Sequence, residues 1–101
     1  MAAYLIVSRI GPVRDADALA EYQRRTRLQP PSVPLEPLVV YGDVQALEGQ
    51  APDGVVMLRF DSVDDARAWY DHPSYQEALP HRLKAGEYQA FIVEGVEPGN
   101  G

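Results

Sequence analysis

Two histidines, His72 and His81, are the side chains in this sequence whose ordinary pKa of about 6.5 suits proton transfer at neutral pH. His72 stands in Asp71-His72-Pro73, between two stretches of helical character. It reads either as a general acid or base or as a plain cap for the second helix. His81 follows Pro80 and precedes Arg82 and Lys84, so it is either a ligand contact or a solvated helix end. Trp69 and Tyr75 fall on the inner sides of those helices, with Tyr22 on an earlier helix and Tyr41 on a strand. Large aromatics usually fill cores, but they also wall pockets, and a buried tyrosine hydroxyl needs a partner. There is no cysteine, hence no thiolate nucleophile, disulfide or thiolate metal site. The two histidines lie too far apart in sequence for a His-x-x-x-His motif, and no metal is expected. Without a phosphate loop, a Gly-x-Ser-x-Gly elbow or a nucleotide or flavin fingerprint, any reaction is expected to proceed with no cofactor.

The elements that must position these residues are legible in order. Ala3–Ile10 is rich in β-branched and aromatic residues and ends at Gly11-Pro12, so it reads as a first strand. Asp15 can cap a helix over Asp15–Leu28, with Leu19, Tyr22 and Thr26 on one side. Gln29–Pro37 holds four prolines and is expected to be an extended connection. Leu38–Asp43 reads as strand two, with Gly42 marking a bulge or a close backbone approach and a weak continuation through Val44–Leu47. A loop over Glu48–Gly54 then turns into strand three, Val55–Phe60. Ser62 opens a helix carrying Val63, Ala66, Trp69 and Tyr70, and Pro73 starts another. Pro80 is expected to interrupt that helix, and Gly86 to cap it. Glu87–Val96 is strand four, and 97–101 is expected to fray.

The order βαββαβ predicts an α+β, ferredoxin-like domain: a four-stranded antiparallel sheet with helices on one face. At 101 residues it is one domain, 1–101. Yet the strands are apolar on both faces. Leu5 and Val7 oppose Tyr4, Ile6 and Ile10; Val56, Leu58 and Phe60 oppose Val55 and Met57; Phe91 and Val93 oppose Tyr88, Ala90 and Ile92. Helices cover one face only, so the other calls for a second copy of the sheet, and an obligate homodimer is expected. Arg59 interrupts the second face. Buried there it must be paired, with Glu94 or Asp43 as candidates, unless it binds an anion.

A formal charge of -6 without a basic stripe argues against nucleic acid or an anionic membrane surface as partner. No run approaches the roughly 20 apolar residues of a membrane span, and no basic leader is evident, so a cytoplasmic protein is expected.

RFDSVDDARAWYDHPSYQEA, with the opening AYLIVSRI and the segments DALAEY, VQALEG and FIVEG, resembles the domain-of-unknown-function 1330 family of the dimeric α+β barrel superfamily. The resemblance rests most on the order Phe60, Ser62, Ala66, Trp69, Tyr70, Pro73 and Tyr75, and it covers nearly the whole chain. It implies the same fold and dimer. It also implies a range of activities, from cofactor-free monooxygenases to isomerases, lyases, cyclases and simple binding proteins, several with a pocket between sheet and helices. Arg82 matches the family's arginine and, on that resemblance, would steady an enolate or carboxylate. His72 stands where the family usually has serine. Pro30–Pro37 replaces a glycine pair, and Pro80-His81 precedes the arginine.

The expected function is therefore a cofactor-independent enzyme of secondary metabolism acting on a hydrophobic, oxygenated molecule of polyketide or aromatic type. Cyclisation, isomerisation, elimination or oxygenation would use His72 and Arg82 within walls of Trp69, Tyr75, Tyr22, Tyr41 and His81. The alternatives are a ligand-binding dimer without catalysis and a structural or regulatory dimer filled by its own aromatics. The ligand-handling alternatives require a pocket of roughly 300 Å³ between sheet and helices.

Overall fold

The computed structural model describes residues 1–28 and 31–96. β1 (Ala3–Ile10) forms where the sequence places it. Ala3, Leu5 and Val7 are buried in alternation with half-exposed neighbours, the period-two signature of a strand. α1 (Ala16–Leu28) is capped by Asp15, whose Oδ1 accepts from the Ala18 amide at 3.0 Å. On its outer side Glu21 bonds Arg24 and Arg25, and those hydrogen bonds pull its carboxyl down to about 2. Solvent screening keeps the stabilising effect of such exposed pairs small.

β2 (Leu35–Val40) begins three residues before the expected strand and stops before Gly42. It is an edge strand, where a proline's missing amide can face away from the ladder, so Pro37 pairs with Leu58 of β3 (Gly54–Phe60). The bulge lies between Pro37 and Val39 rather than at Gly42. Residues 41–53 form a loop, and Val44–Leu47 add no strand. Tyr41 opens that loop in the left-handed region, φ 56.

α2 (Val63–Asp71) is capped by Ser62, whose Oγ accepts from the Asp65 amide at 3.0 Å. α3 (Pro73–Ala85) starts with Pro73 in its first turn and runs on through Pro80, contrary to the expected interruption. Pro80 removes one backbone bond, but burial of Tyr75, Ala78, Leu79, Arg82 and Ala85 holds the helix together on its inner side. Gly86 is extended, φ 176, and so is not a left-handed cap. The Arg14 amide donates to the Ala85 carbonyl at 2.7 Å, tying the end of α3 to the start of α1. β4 (Glu87–Glu94) closes the sheet. The expected tail 97–101, like Gln29 and Pro30, lies outside the described residues.

The sheet order is β2-β3-β1-β4, all antiparallel, the ferredoxin-like α+β arrangement. Leu5, Val7, Phe60 and Ala66 centre the core, with Leu58, Trp69 and Ile92 packed against them. α2 packs on β1, β3 and β4 over that face. The opposite face carries Ile6 between Met57 and Phe91 in register. Phe91 and Val93 are 45% exposed and Ile10 42%, so the second apolar face is bare within one chain.

Candidate functional site

The helix side of the sheet gathers an arginine and a set of aromatic rings. Inner-face burial of α3 turns Arg82 toward the sheet, where its side chain is shut off from solvent at 3% exposure. Its guanidinium carbon stands 5.1 Å from the centre of the Tyr88 ring on β4 and 5.8 Å from that of Tyr22 on α1. Both contacts are of the cation–π kind. Tyr75, in the first turn of α3, shares a 2.9 Å hydrogen bond with the Tyr22 hydroxyl. Trp69 lies against Tyr75 at 4.3 Å between ring centres, with Tyr70 at 5.3 Å from Tyr75 on another side.

Arg82 is a cation without an anion. Among the described residues it takes part in no ion pair, and its Nε is buried with no hydrogen-bond partner. Burial works against its charge, while the oxygens of Tyr75 and then Tyr22 work for it and raise its pKa on balance. A phenol oxygen is a partial charge and not a carboxylate, so these contacts supply no formal counter-ion to the guanidinium, which is always protonated. Burial pushes the Tyr22 hydroxyl far up, with Tyr75 adding to the shift. Burial raises Tyr41 as well, and then its neighbour Tyr88. These hydroxyls are therefore proton donors at neutral pH rather than bases.

Tyr41 joins from the far side. Its ring passes so close to Gly54 that an added Cβ there would sit 3.0 Å from it. Tyr88 has a buried hydroxyl, with Tyr41 beside it. Arg9 stands beside both, its Nε donating to the Gly11 carbonyl and Nη2 to the Asp53 carbonyl, each at 3.2 Å. Neither Tyr88 nor Arg9 was among the expected site residues. The period-two rule carried the signal, since Arg9 follows Leu5 and Val7 on one face and Tyr88 precedes Ala90 and Ile92 on the same one.

The space expected beside these rings is small. Trp69, Tyr75 and Tyr22 interdigitate and leave a crevice of about 30 Å³, bordered by Arg25, Thr26, Ser32 and Ser74. That is room for one or two waters, and far below the roughly 300 Å³ of a drug-sized site. As packed, the subunit is filled by its own aromatics. A groove of about 270 Å³ lies elsewhere, on the open sheet face beside Ser8, Ile10, Pro52 and Gln89.

His72 is not with this group. It is exposed and caps α3, its Nδ1 accepting from the Ser74 amide at 3.1 Å and lying 2.8 Å from Ser74 Oγ. His72→Ala is therefore expected to lower stability by about 1 kcal/mol in urea denaturation while leaving ligand binding unchanged. A loss of turnover of about a hundredfold, with binding intact, would return His72 to the chemistry. His81 is half-buried beside Arg82, and neighbouring helical positions point about 100° apart. Arg59 corrects the expected pairing. It reaches Asp61 at 3.6 Å, whereas Glu94 pairs with Ala3 and lies on the opposite face, and Asp43 is an exposed loop residue. Among the described residues no cluster of three or more metal-ligating side chains occurs, and no helix is long and apolar enough to cross a membrane.

Fold and site define a ferredoxin-like α+β protein with an aromatic, arginine-centred layer between sheet and helices. The chain belongs to the family described as domain of unknown function (DUF1330), whose model matches residues 2–96. Solved structures share the fold at low identity. A protein of unknown function from Rhodopseudomonas palustris is 18% identical with a TM-score of 0.63, over 96% of this chain and 84% of that one. An ethyl tert-butyl ether (EthD) family protein from Bacillus halodurans is 14% identical with a TM-score of 0.63, over 95% and 100%. A protein from Bacteroides fragilis, described as dimeric, of unknown function and ferredoxin-like, is 15% identical with a TM-score of 0.59, over 93% and 96%. No curated protein matches the chain.

Proposed function

We propose that this protein is a homodimer joined through the open face of its sheet, each subunit binding a hydrophobic, oxygenated small molecule at the aromatic layer around Arg82. One observation carries the ligand site: a cation at 3% exposure that no carboxylate among the described residues neutralises. Buried charges are rarely left so in a purely structural setting. The dimer is supported by the bare apolar face and by the Bacteroides fragilis relative described as dimeric. The Bacillus halodurans relative's family is named for a small oxygenated molecule, which agrees with the ligand class.

The groups at the site are donors. Tyr22, Tyr75 and Arg82 are placed to stabilise a ligand oxygen as negative charge builds on it, the need of cyclisations, isomerisations and eliminations that pass through an enolate. Among the described residues no histidine or carboxylate bonds these three side chains, so electrophilic assistance is favoured over a full acid–base cycle centred on His72.

The crevice beside these rings falls far short of the space a ligand requires. A ligand must therefore part Trp69 from Tyr75 to enter, and Trp69 is the one tryptophan in the chain. Titration with acetophenone and 2-naphthol is expected to change Trp69 emission saturably and to raise the melting temperature. The packing favours a second reading, a structural dimer filled by its own aromatics. Flat emission and an unmoved melting temperature across such compounds would establish that reading and end the ligand one.

A further inference from the structure

Resting on the proposed homodimer, we infer that the loop over residues 41–53 crosses between subunits, seating Leu47 of each in the groove on the open sheet face of its partner. The loop projects apolar side chains that its own subunit does not cover. Leu47 is 93% exposed, and Leu38, Val40 and Val44, leading up to it, are exposed as well. A lone exposed leucine means little, but a run of apolar residues on one projection marks a contact surface. Pinned at both ends, the loop holds them out. The Tyr41 amide donates to the Val55 carbonyl at 2.8 Å and the Asp53 amide to the Arg9 carbonyl at 2.7 Å. The Gly11 amide donates to the Asp53 carboxylate beside them.

The groove of about 270 Å³ is the matching vacancy. Ser8, Ile10 and Gln89 of the sheet line it, with Gln50, Ala51 and Pro52 from the loop's returning limb. A second sheet laid over this face would leave the groove as a void, whereas stable interfaces pack as densely as protein interiors. Register puts groove and loop at one end of the sheet, since Gly54 opposes Arg9 and Glu87 opposes Ile10. With the strands ordered β2-β3-β1-β4, a two-fold axis along them lays the β2–β3 end of one copy over the β1–β4 end of the other. Each loop thus comes over the other copy's groove, and the contact is made twice.

Charge selects the same occupant. Asp43 and Glu48 flank the apolar tip, so two loops pressed against each other would repel. The same carboxylates disfavour an anionic membrane surface. The groove's lining has no charged side chain, and its glutamines and serine can bond the backbone of an incoming loop.

The chain has no cysteine, so introduced ones report cleanly. Leu47→Cys and Gln89→Cys chains, purified separately, mixed and treated with a short bismaleimide, are expected to yield a covalent dimer. Peptide mass spectrometry should place its link between positions 47 and 89. In sedimentation, Leu47→Ser is expected to raise the dimer's dissociation constant about a hundredfold, roughly tenfold for each of two lost leucine contacts, with helical circular dichroism unchanged. A wild-type dimer that Leu47→Ser leaves equally tight overturns the exchange while the sheet-face dimer stands, and assigns the groove to some other occupant. Mixed chains that link 47 only to 47, or do not link, overturn it in the same way. A wild-type chain that sediments as a monomer overturns both.

Discussion

Arg82→Met is expected to stabilise this protein, by about 1–3 kcal/mol in urea denaturation, although it deletes a side chain at the centre of the packed layer. The sign follows from what the guanidinium has and lacks. It lies at 3% exposure, so it has given up its hydration. Against that stand two ring contacts at 5.1 and 5.8 Å, each worth about 0.5–2 kcal/mol. No counter-charge among the described residues supplies the rest. Methionine is unbranched, flexible and apolar, and it fills much of the same volume. Tyr75 keeps its bond to Tyr22 in the variant. A structural arginine behaves oppositely, because its loss strands partners. A drop in stability of more than about 1 kcal/mol would show that Arg82 is satisfied within the protein, and the case for a ligand there would fall.

Ile6→Asp is expected to turn the proposed dimer into a monomer with its helices intact. Ile6 sits mid-sheet on the open face, opposite Met57 on one side and Phe91 on the other. A sheet-to-sheet contact places it near the middle, where an unpaired carboxylate costs several kcal/mol. The same change leaves Leu5 and Val7 untouched, because they face the helices. Sedimentation of the wild-type chain at micromolar concentration should show a dimer and the variant half that mass, with similar helical circular dichroism. A wild-type monomer, or a variant that still dimerises, contradicts an interface on this face. Arg59 does not spoil that face, since it is opposite Glu36 in register and reaches Asp61 at 3.6 Å.

What could be read in the sequence was local. β1, the caps at Asp15 and Ser62 and the start of α3 at Pro73 follow from residues within a turn of one another. The two apolar faces followed from counting by twos. The misses share one cause: they depend on neighbours far along the chain. β2 admits Pro37 because it is an edge strand, and edge position is a property of the whole sheet. α3 crosses Pro80 because α1 packs along it and its inner side is buried. For the site, residue type pointed to Trp69, Tyr75, Tyr22 and Tyr41, and the family resemblance to Arg82. How tightly the rings close, and that Arg9 and Tyr88 join them, depends on packing that periodicity does not contain. A histidine beside a proline suits a cap as well as a catalyst, so residue type left both roles to His72, and the cap is the one its contacts show.

Tyr41 carries a consequence for anyone who engineers this chain. A tyrosine at φ 56 is strained by about 1 kcal/mol or more, and glycine or asparagine would sit there more comfortably. That strain turns its ring over Gly54, into the same corner as the uncompensated guanidinium. Two local frustrations thus coincide in one place. Stability-driven optimisation would replace Tyr41 and Arg82 among its first moves, and selection for melting temperature alone would return a sturdier protein with that corner silenced.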